Sequence, residues 1–252
     1  VKKTVLFLSL ICFGAFGQGG DLYQQGLALE KDFNVEAALE KYELAIRQNP
    51  KHAKALNHAS RMLSNIGGRL PKTERNKKME LYERARVYSE KSMELNPDDP
   101  EAHLAYVISL GLQSEIATNP HEKVRYAQNI HNEATRILQI DSTFAEAYFI
   151  LGKWQYELSH LNWVELMACK LFFGGFPEEI SFQKALQYFT LADNYKPDYI
   201  LFLYGLASAQ YELGESDKAV QTLQRALSLP LSEPDDTTRK ERCGALLKKI
   251  IQ

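Results

Sequence analysis

Ala38, Tyr42, Ala45 and Pro50 follow one another at intervals of four, three and five residues. The same intervals return as Ala185, Phe189, Ala192 and Pro197. Ala219, Leu223 and Ala226 repeat them again and run into Pro230 one residue early, and Ala85, Ser89, Ser92 and Pro97 form a weaker copy. Steps of four and three place side chains on one stripe of an α-helix. A proline cannot continue that helix and biases the residue before it toward extended backbone. A small–large–small stripe that ends the same way each time describes one helix type used repeatedly, so the chain is constrained to a stack of equivalent units.

The spacing is that of the second helix of a tetratricopeptide repeat, whose period is about 34 residues. The expected fold is all-α: a tetratricopeptide-repeat-like solenoid of about five helix pairs, stacked in a right-handed sense, plus a C-terminal capping helix. Nothing after the leader reads as strand. The array is assigned to 18–236 and the capping helix to 237–252. With 45% hydrophobic and 25% charged residues, the chain has ordinary globular composition and enough apolar content for a continuous core.

Residues 1–17 read as a secretory signal peptide: Lys2 and Lys3, the apolar run Val5–Phe16, then Ala15 and Gly17 before a cut at Gln18. The run is too short to span a bilayer comfortably. Cys12 follows Ile11 rather than a small residue, which argues against lipidation. A valine at position 1 is what a GTG start codon read literally gives, which points to a bacterial source. Export to the periplasm or the exterior is expected, with no transmembrane span after cleavage. Cleavage removes two lysines and no acids, so the formal charge moves from −2 to −4. A mildly acidic chain argues against general nucleic-acid binding. Cys169 and Cys243 lie in different repeats and pair only if the superhelix brings them together.

The irregularities place the units. Repeat one carries Leu22, Gly26 and Leu29 in its first helix and Asn34–Gln48 as its second. In repeat two a first helix bearing Leu56, Ala59, Ser60 and Leu63 is expected to break at Gly67–Gly68 and Pro71. A long basic loop (Arg69, Lys72, Arg75, Lys77, Lys78) then leads into a helix from about Lys78 to Leu95. Repeat three opens at Pro100–Glu101, ends its first helix near Ile116 and opens its second at Asn119–Pro120. Repeat four begins Ala145-Glu146-Ala147-Tyr148, with Gly152 letting the paired helices approach. About twenty extra residues, His160–Ser181, precede its second helix, Ser181–Tyr195. Repeat five carries Leu203, Leu206 and Ala207, turns at Gly214 and continues over Asp217–Leu229. The cap then carries Leu246, Leu247, Ile250 and Ile251 on one side.

The run Leu151-Gly152-Lys153-Trp154-Gln155-Tyr156-Glu157, with Leu161-Asn162-Trp163-Val164-Glu165, Ala168, Leu171-Phe172 and Pro177 after it, resembles the regulator of microtubule dynamics family of tetratricopeptide-like proteins. Ala207, Tyr211, Leu213-Gly214, Ala219, Ala226-Leu227 and Leu229-Pro230 look like that family's last repeat. The resemblance implies an all-helical domain with a non-enzymatic role. It implies association with microtubules or organelle contact sites in eukaryotic members, and lipid binding in one branch. An exported chain would not meet microtubules, so a peptide or lipid ligand is the expectation here.

Repeat arrays of this kind bind through the surface lined by the first helix of each pair. Positions 5, 9 and 12 give Tyr23, Leu27 and Glu30; Asn57, Arg61 and Ser64; Leu104, Ile108 and Gly111; Phe149, Lys153 and Tyr156; and Tyr204, Ser208 and Tyr211. The candidate groove residues are Asn57, Arg61, Leu104, Ile108, Phe149, Lys153, Tyr156, Tyr204 and Tyr211. Arg61 and Lys153 read as isolated cations able to hold a carboxylate or phosphate. The competing reading is that an insert or the capping helix fills the groove, since an aromatic stripe at helical spacing also describes core. The insert's apolar residues could touch a membrane, but its scarcity of cations favours packing on the neighbouring repeat; the basic loop could bind anions, but Glu74 within it and Glu80 after it favour a solvated loop. His52, His58, His121 and His131 lack metal-ligand spacing, and no catalytic constellation or cofactor motif appears. The functional expectation is a non-enzymatic protein that binds a protein or peptide partner through its concave surface. The alternative is a lipid-binding or lipid-transfer module with an apolar cavity.

Overall fold

A computed structural model describes residues 18–162, 164–167 and 179–252, with side chains from residue 22 onward. The predicted signal peptide and most of the long insert lie outside the described residues. The helices are α1 (Gln18–Lys31), α2 (Val35–Gln48), α3 (Ala53–Arg69), α4 (Arg75–Leu95), α5 (Pro100–Ile116), α6 (Pro120–Ile140), α7 (Ala145–Ser159), α8 (Phe182–Tyr195), α9 (Ile200–Glu212), α10 (Ser216–Ser228) and α11 (Asp236–Ile251). They pair in sequence as five antiparallel hairpins, from α1–α2 to α9–α10, and α11 packs on α9 and α10. No strand occurs among the described residues. The first helices of the pairs form the inner row, with α3 packed on α5 and α7 on α9.

The opening spacing works through close helix approach. Gly26 of α1 faces the Tyr42 ring of α2, so tightly that a Cβ there would lie 2.5 Å from Tyr42 Cε1. Phe189 of α8 is wedged against two glycines, Gly152 of α7 and Gly205 of α9, each of whose hypothetical Cβ would stand 2.7 Å from the ring. Ala38, Ala45, Ala185, Ala192, Ala219 and Ala226 are fully buried beside these wedges. The weak copy in repeat two uses hydroxyls instead. Ser60 Oγ donates to Ala85 O at 2.7 Å, and Ser92 Oγ to Ala53 O at 3.0 Å. A hydroxyl bonded to a neighbour's carbonyl permits close contact without an orphaned polar atom.

Repeat two departs from the sequence expectation. Gly67–Gly68 does not break the first helix, because α3 runs through both glycines to Arg69 and stops at Leu70, before Pro71. Gly67 lies seven residues beyond Ser60, and Tyr82 seven before Ser89, so the hairpin is lengthened by about two turns on each side. There the glycine–aromatic wedge recurs, with a Cβ on Gly67 2.5 Å from Tyr82 Cε1. The extra residues of this repeat are helix rather than loop, and α4 starts at Arg75.

Helix ends follow local chemistry. Asn119 and Asp99 accept the amides of His121 and Glu101, with prolines just after each cap. Ser181 caps α8 by accepting from Lys184 N. The turns after α1 and α9 share one motif. Asn34 N bonds Leu29 O and Phe33 N bonds Glu30 O, while Glu215 N bonds Gln210 O and Gly214 N bonds Tyr211 O. The pivot residue has a left-handed φ in both, +77° at Gly214 and +60° at Phe33.

The cap is held by a buried network. Asp236 accepts the amides of Ser232 and Glu233 and pairs with Arg239, which also bonds Glu233 and lies against Tyr199. Lys240 donates to the carbonyls of Leu227 and Leu229 at the end of α10. Cys243 lies on the buried face of α11, and burial pushes its thiol up to about 11. Its sequence-suggested partner Cys169 lies outside the described residues. Leu246, Leu247 and Ile250 pack on the α9–α10 core as expected, but Ile251 stays exposed at the chain end.

Candidate functional site

The inner row brings Glu30, His58, Arg61 and Glu101 together from α1, α3 and α5. Glu30 Oε2 accepts Tyr42 OH at 2.7 Å and lies 2.7 Å from His58 Nδ1. Burial works against ionisation of Glu30, but the bonds from His58 and Tyr42 outweigh it and hold its carboxyl below the usual range. The Tyr23, Tyr42 and His52 rings pack about this pair, and Tyr42 is fully buried. Arg61 is half-exposed and reaches Glu101 at 4.0 Å. Glu101 is pushed up by burial, with Glu146 and Asp99 adding like charge, although Arg61 opposes the shift. Asn57, one turn before Arg61, is only 5% exposed, and its Oδ1 has no hydrogen-bond partner among the described residues. Ser64 Oγ, on the same stripe, is likewise buried without one.

Further along, the candidates divide between core and surface. Leu104 and Ile108 belong to the packing between repeats three and four, against Ile137, Ala147 and Phe144. Phe149 lies 5.6 Å from the Phe189 ring and 5.1 Å from Phe202, so it is a packing residue between repeats four and five. Lys153 is exposed, and its Nζ donates to Glu115 Oε1 at 3.4 Å. Tyr156 is half-buried and points its hydroxyl at Glu212 Oε1, 3.5 Å away; burial, with Glu212 beside it, pushes the phenol up to about 12. Tyr204 and Tyr211 pack beside Leu246, Leu247 and Ile250 of the cap, and Lys249 stands 4.8 Å above the Tyr211 ring. The capping helix therefore covers the far end of the inner surface, and Arg61 and Lys153 are not isolated charges.

The basic loop of repeat two is also occupied. Arg75 Nε donates to Ile116 O at 2.9 Å, which closes the C-terminus of α5. Lys78 Nζ donates to Leu70 O, Lys77 pairs with Glu74, and Arg69 lies 3.6 Å from Asp235 at the start of the cap. The last contact shows how far the array curls, since the seven helices α4 to α10 separate the two residues in sequence. Where the insert departs, Asn162 and Glu165 exchange side-chain bonds to each other's amides, a capping box that starts a helix. Where it returns, the buried Gln155 carboxamide binds Glu179 O and Ser181 N at 3.1 Å each. Whether the insert fills the groove turns on residues outside those described.

Reading only positions 5, 9 and 12 found Glu30 but missed Glu101, Glu115 and Glu146. Glu101 and Glu146 both sit at the second residue of their helices, and that recurrence was the available signal. Among the described residues no group of three or more His, Cys, Asp or Glu could hold a metal ion, and no helix is long and apolar enough to cross a membrane.

The sequence profile of the regulator of microtubule dynamics proteins 1–3 matches residues 21–251. Regulator of microtubule dynamics protein 3 of Mus musculus is 24% identical over 159 residues, covering 61% of this chain and 33% of that protein. Protein 1 of Caenorhabditis elegans is 25% identical over 165 residues, covering 65% and 72%. The match thus spans about a third of the mouse relative's length. Among solved structures, a thermophilic tetratricopeptide-repeat protein of Thermus thermophilus superposes with a TM-score of 0.68 at 16% identity, covering 91% of this chain and 99% of that one. Profile and fold agree over nearly the whole array, and the chain belongs to the regulator of microtubule dynamics family.

Proposed function

We propose that the protein is a non-enzymatic adaptor that holds an extended segment of a protein partner along the inner row formed by α1, α3, α5, α7 and α9. The helical-repeat fold supports an interaction role. The observation that carries the reading is the set of inner-row side chains that keep water-facing surface while their helices are otherwise buried. Arg61 and Lys153 keep 36% and 52% of their side-chain surface, and Tyr156 and Tyr204, on α7 and α9, stay partly open. Such a surface offers aromatic area and charged hydrogen-bonding ends along one line, which suits a peptide backbone with alternating side chains. The lipid alternative calls for a closed apolar cavity, and these charged side chains do not favour it. Export remains our reading of residues 1–17, and N-terminal sequencing of the secreted chain tests it.

The test is capture of partners by the immobilised full chain, followed by the double variant Lys153→Ala, Tyr156→Ala. Both side chains keep enough water-facing surface for the fold to survive their loss. Phe149→Ala is unsuitable, because that ring is packed between Phe189 and Phe202. Loss of captured protein in the folded double variant is the expected result. Unchanged capture would remove the inner row from consideration, and lipid co-purifying in its place would favour the alternative.

A further inference from the structure

Both cations of the inner row are already matched by carboxylates of a neighbouring repeat: Arg61 by Glu101 at 4.0 Å and Lys153 by Glu115 at 3.4 Å. Neither is a vacant anion site. Carboxylates cluster around Arg61: Glu30 accepts a tyrosine hydroxyl and faces the His58 imidazole, Glu101 stands near Asp99 and near Glu146, which Lys196 pairs at 2.7 Å, and Arg61 acts on both Glu30 and Glu101. Burial first, and then these like charges, push the Glu101 carboxyl up even with Arg61 4.0 Å away, so a cationic group placed beside it would favour its ionised form. Asn57 adds an independent mark. It lies on the Arg61 stripe of α3, and its buried Oδ1 lacks a donor. A buried acceptor without a partner costs about 1–3 kcal/mol, which a ligand N–H would recover. Carboxylates on α1 and α5 thus stand on the helices either side of an unpartnered acceptor on α3.

We propose that the half of the inner row formed by α1, α3 and α5 receives a basic side chain, arginine or lysine, carried by the partner's extended segment, with Glu30 and Glu101 as counter-charges and Asn57 Oδ1 as an acceptor. This rests on the groove reading above and names the chemistry of what the groove takes. Arginine suits the place best, since its planar fork reaches a carboxylate and an amide oxygen together. Four residues of helix rise about 6 Å from Asn57 to Arg61, the length of about two residues of extended chain. Residues two apart in an extended segment face the same side, so a pair of basic residues in alternate positions fits the stripe. The arrangement also reverses the sign expected from sequence, where Arg61 stood as the anchor for an acidic ligand. Arg61 here competes with the ligand for Glu101.

Three fluorescein-labelled decapeptides test this against the full chain by anisotropy. They share one tyrosine- and leucine-bearing framework and carry two arginines, two glutamines or two glutamates at alternate central positions. The arginine peptide is expected to bind about tenfold tighter than the glutamine peptide at low salt, with the gap closing as screening rises. Glu101→Gln should weaken the arginine peptide about threefold to fivefold and leave the glutamine peptide unchanged. Arg61→Gln should tighten the arginine peptide. Opposite signs from two neighbouring variants cannot come from damage to the fold, which circular dichroism checks independently. Tightest binding of the glutamate peptide, or loss of arginine-peptide binding in Arg61→Gln, overturns the proposal and leaves the groove reading standing. Failure of all three peptides to bind overturns both.

Discussion

Gly152→Ala is the substitution for which the structure gives the sharpest number. A Cβ at this position would stand 2.7 Å from Phe189 Cδ1 and 2.8 Å from Cε1, where ordinary contact begins at 3.4 Å. The ring would have to retreat by about 0.7 Å, and Gly205 closes the other side, where a Cβ would also lie 2.7 Å from the ring. Overpacking of this kind costs about 1–3 kcal/mol. Against it stands the helix-propensity gain of replacing glycine by alanine, about 1 kcal/mol. The net expectation is a loss of up to about 2 kcal/mol, or up to roughly 8 °C in Tm for a domain of this size. Gly111 provides the control, because no atom lies within 4 Å of its hypothetical Cβ. There the propensity term acts alone, and Gly111→Ala should stabilise by up to about 1 kcal/mol. Thermal and urea melts followed by circular dichroism compare the two. Hydrogen exchange locates the damage, which should concentrate in α7–α9 because neighbouring hairpins supply each unit's stability. The reasoning is refuted if Gly152→Ala proves as stable as Gly111→Ala.

Three further outcomes follow from single contacts. Phe33 sits at φ +60° in the turn where the last repeat uses Gly214, and its ring is 46% exposed; Phe33→Gly should therefore stabilise by about 1 kcal/mol, whereas Gly214→Ala should destabilise by a similar amount, both read from urea midpoints. Buried His103 donates from both ring nitrogens, to Glu133 Oε2 at 2.6 Å and Pro97 O at 2.9 Å, and the Glu133 bond above all holds its pKa above the ordinary histidine value against burial. Its stabilisation is complete below about pH 6.5 and fades as pH rises through the elevated folded value, so the wild type should lose more stability than His103→Gln between acid and mildly alkaline pH; parallel profiles would rule this out. Asp236→Ala leaves Arg239 short of one of its buried partners and should cost about 3 kcal/mol, and the loosened cap should speed thiol labelling of Cys243 several-fold.

The helical content and the register of the hairpins were legible because they depend on local rules. Prolines after Gln48, Leu95 and Tyr195 end helices whatever the rest of the chain does, and the small–large–small stripe names the buried face of each second helix. Gly67 shows where local rules stop. A Gly–Gly pair before a proline reads as a break, yet the approach of Tyr82 from twelve residues or more along the chain makes that glycine a packing position inside α3. The candidate site was legible in part. Arg61, Lys153, Tyr156 and Tyr204 were found on the inner row by repeat position. Phe149 shares that periodicity and is core, because the next repeat brings Phe202 against it.

By itself, then, the sequence determined an all-helical array of five pairs and a cap, since helix length, helix ends and the wedge residues are properties of short stretches. The tertiary structure alone decided which charges of the inner surface are paired. Glu101 meets Arg61 and Glu115 meets Lys153 across repeats separated by about forty residues, and α11 covers Tyr211 only after the array has curled. Charge balance in a groove is a sum over side chains that different repeats contribute, and no single repeat contains the information to predict it.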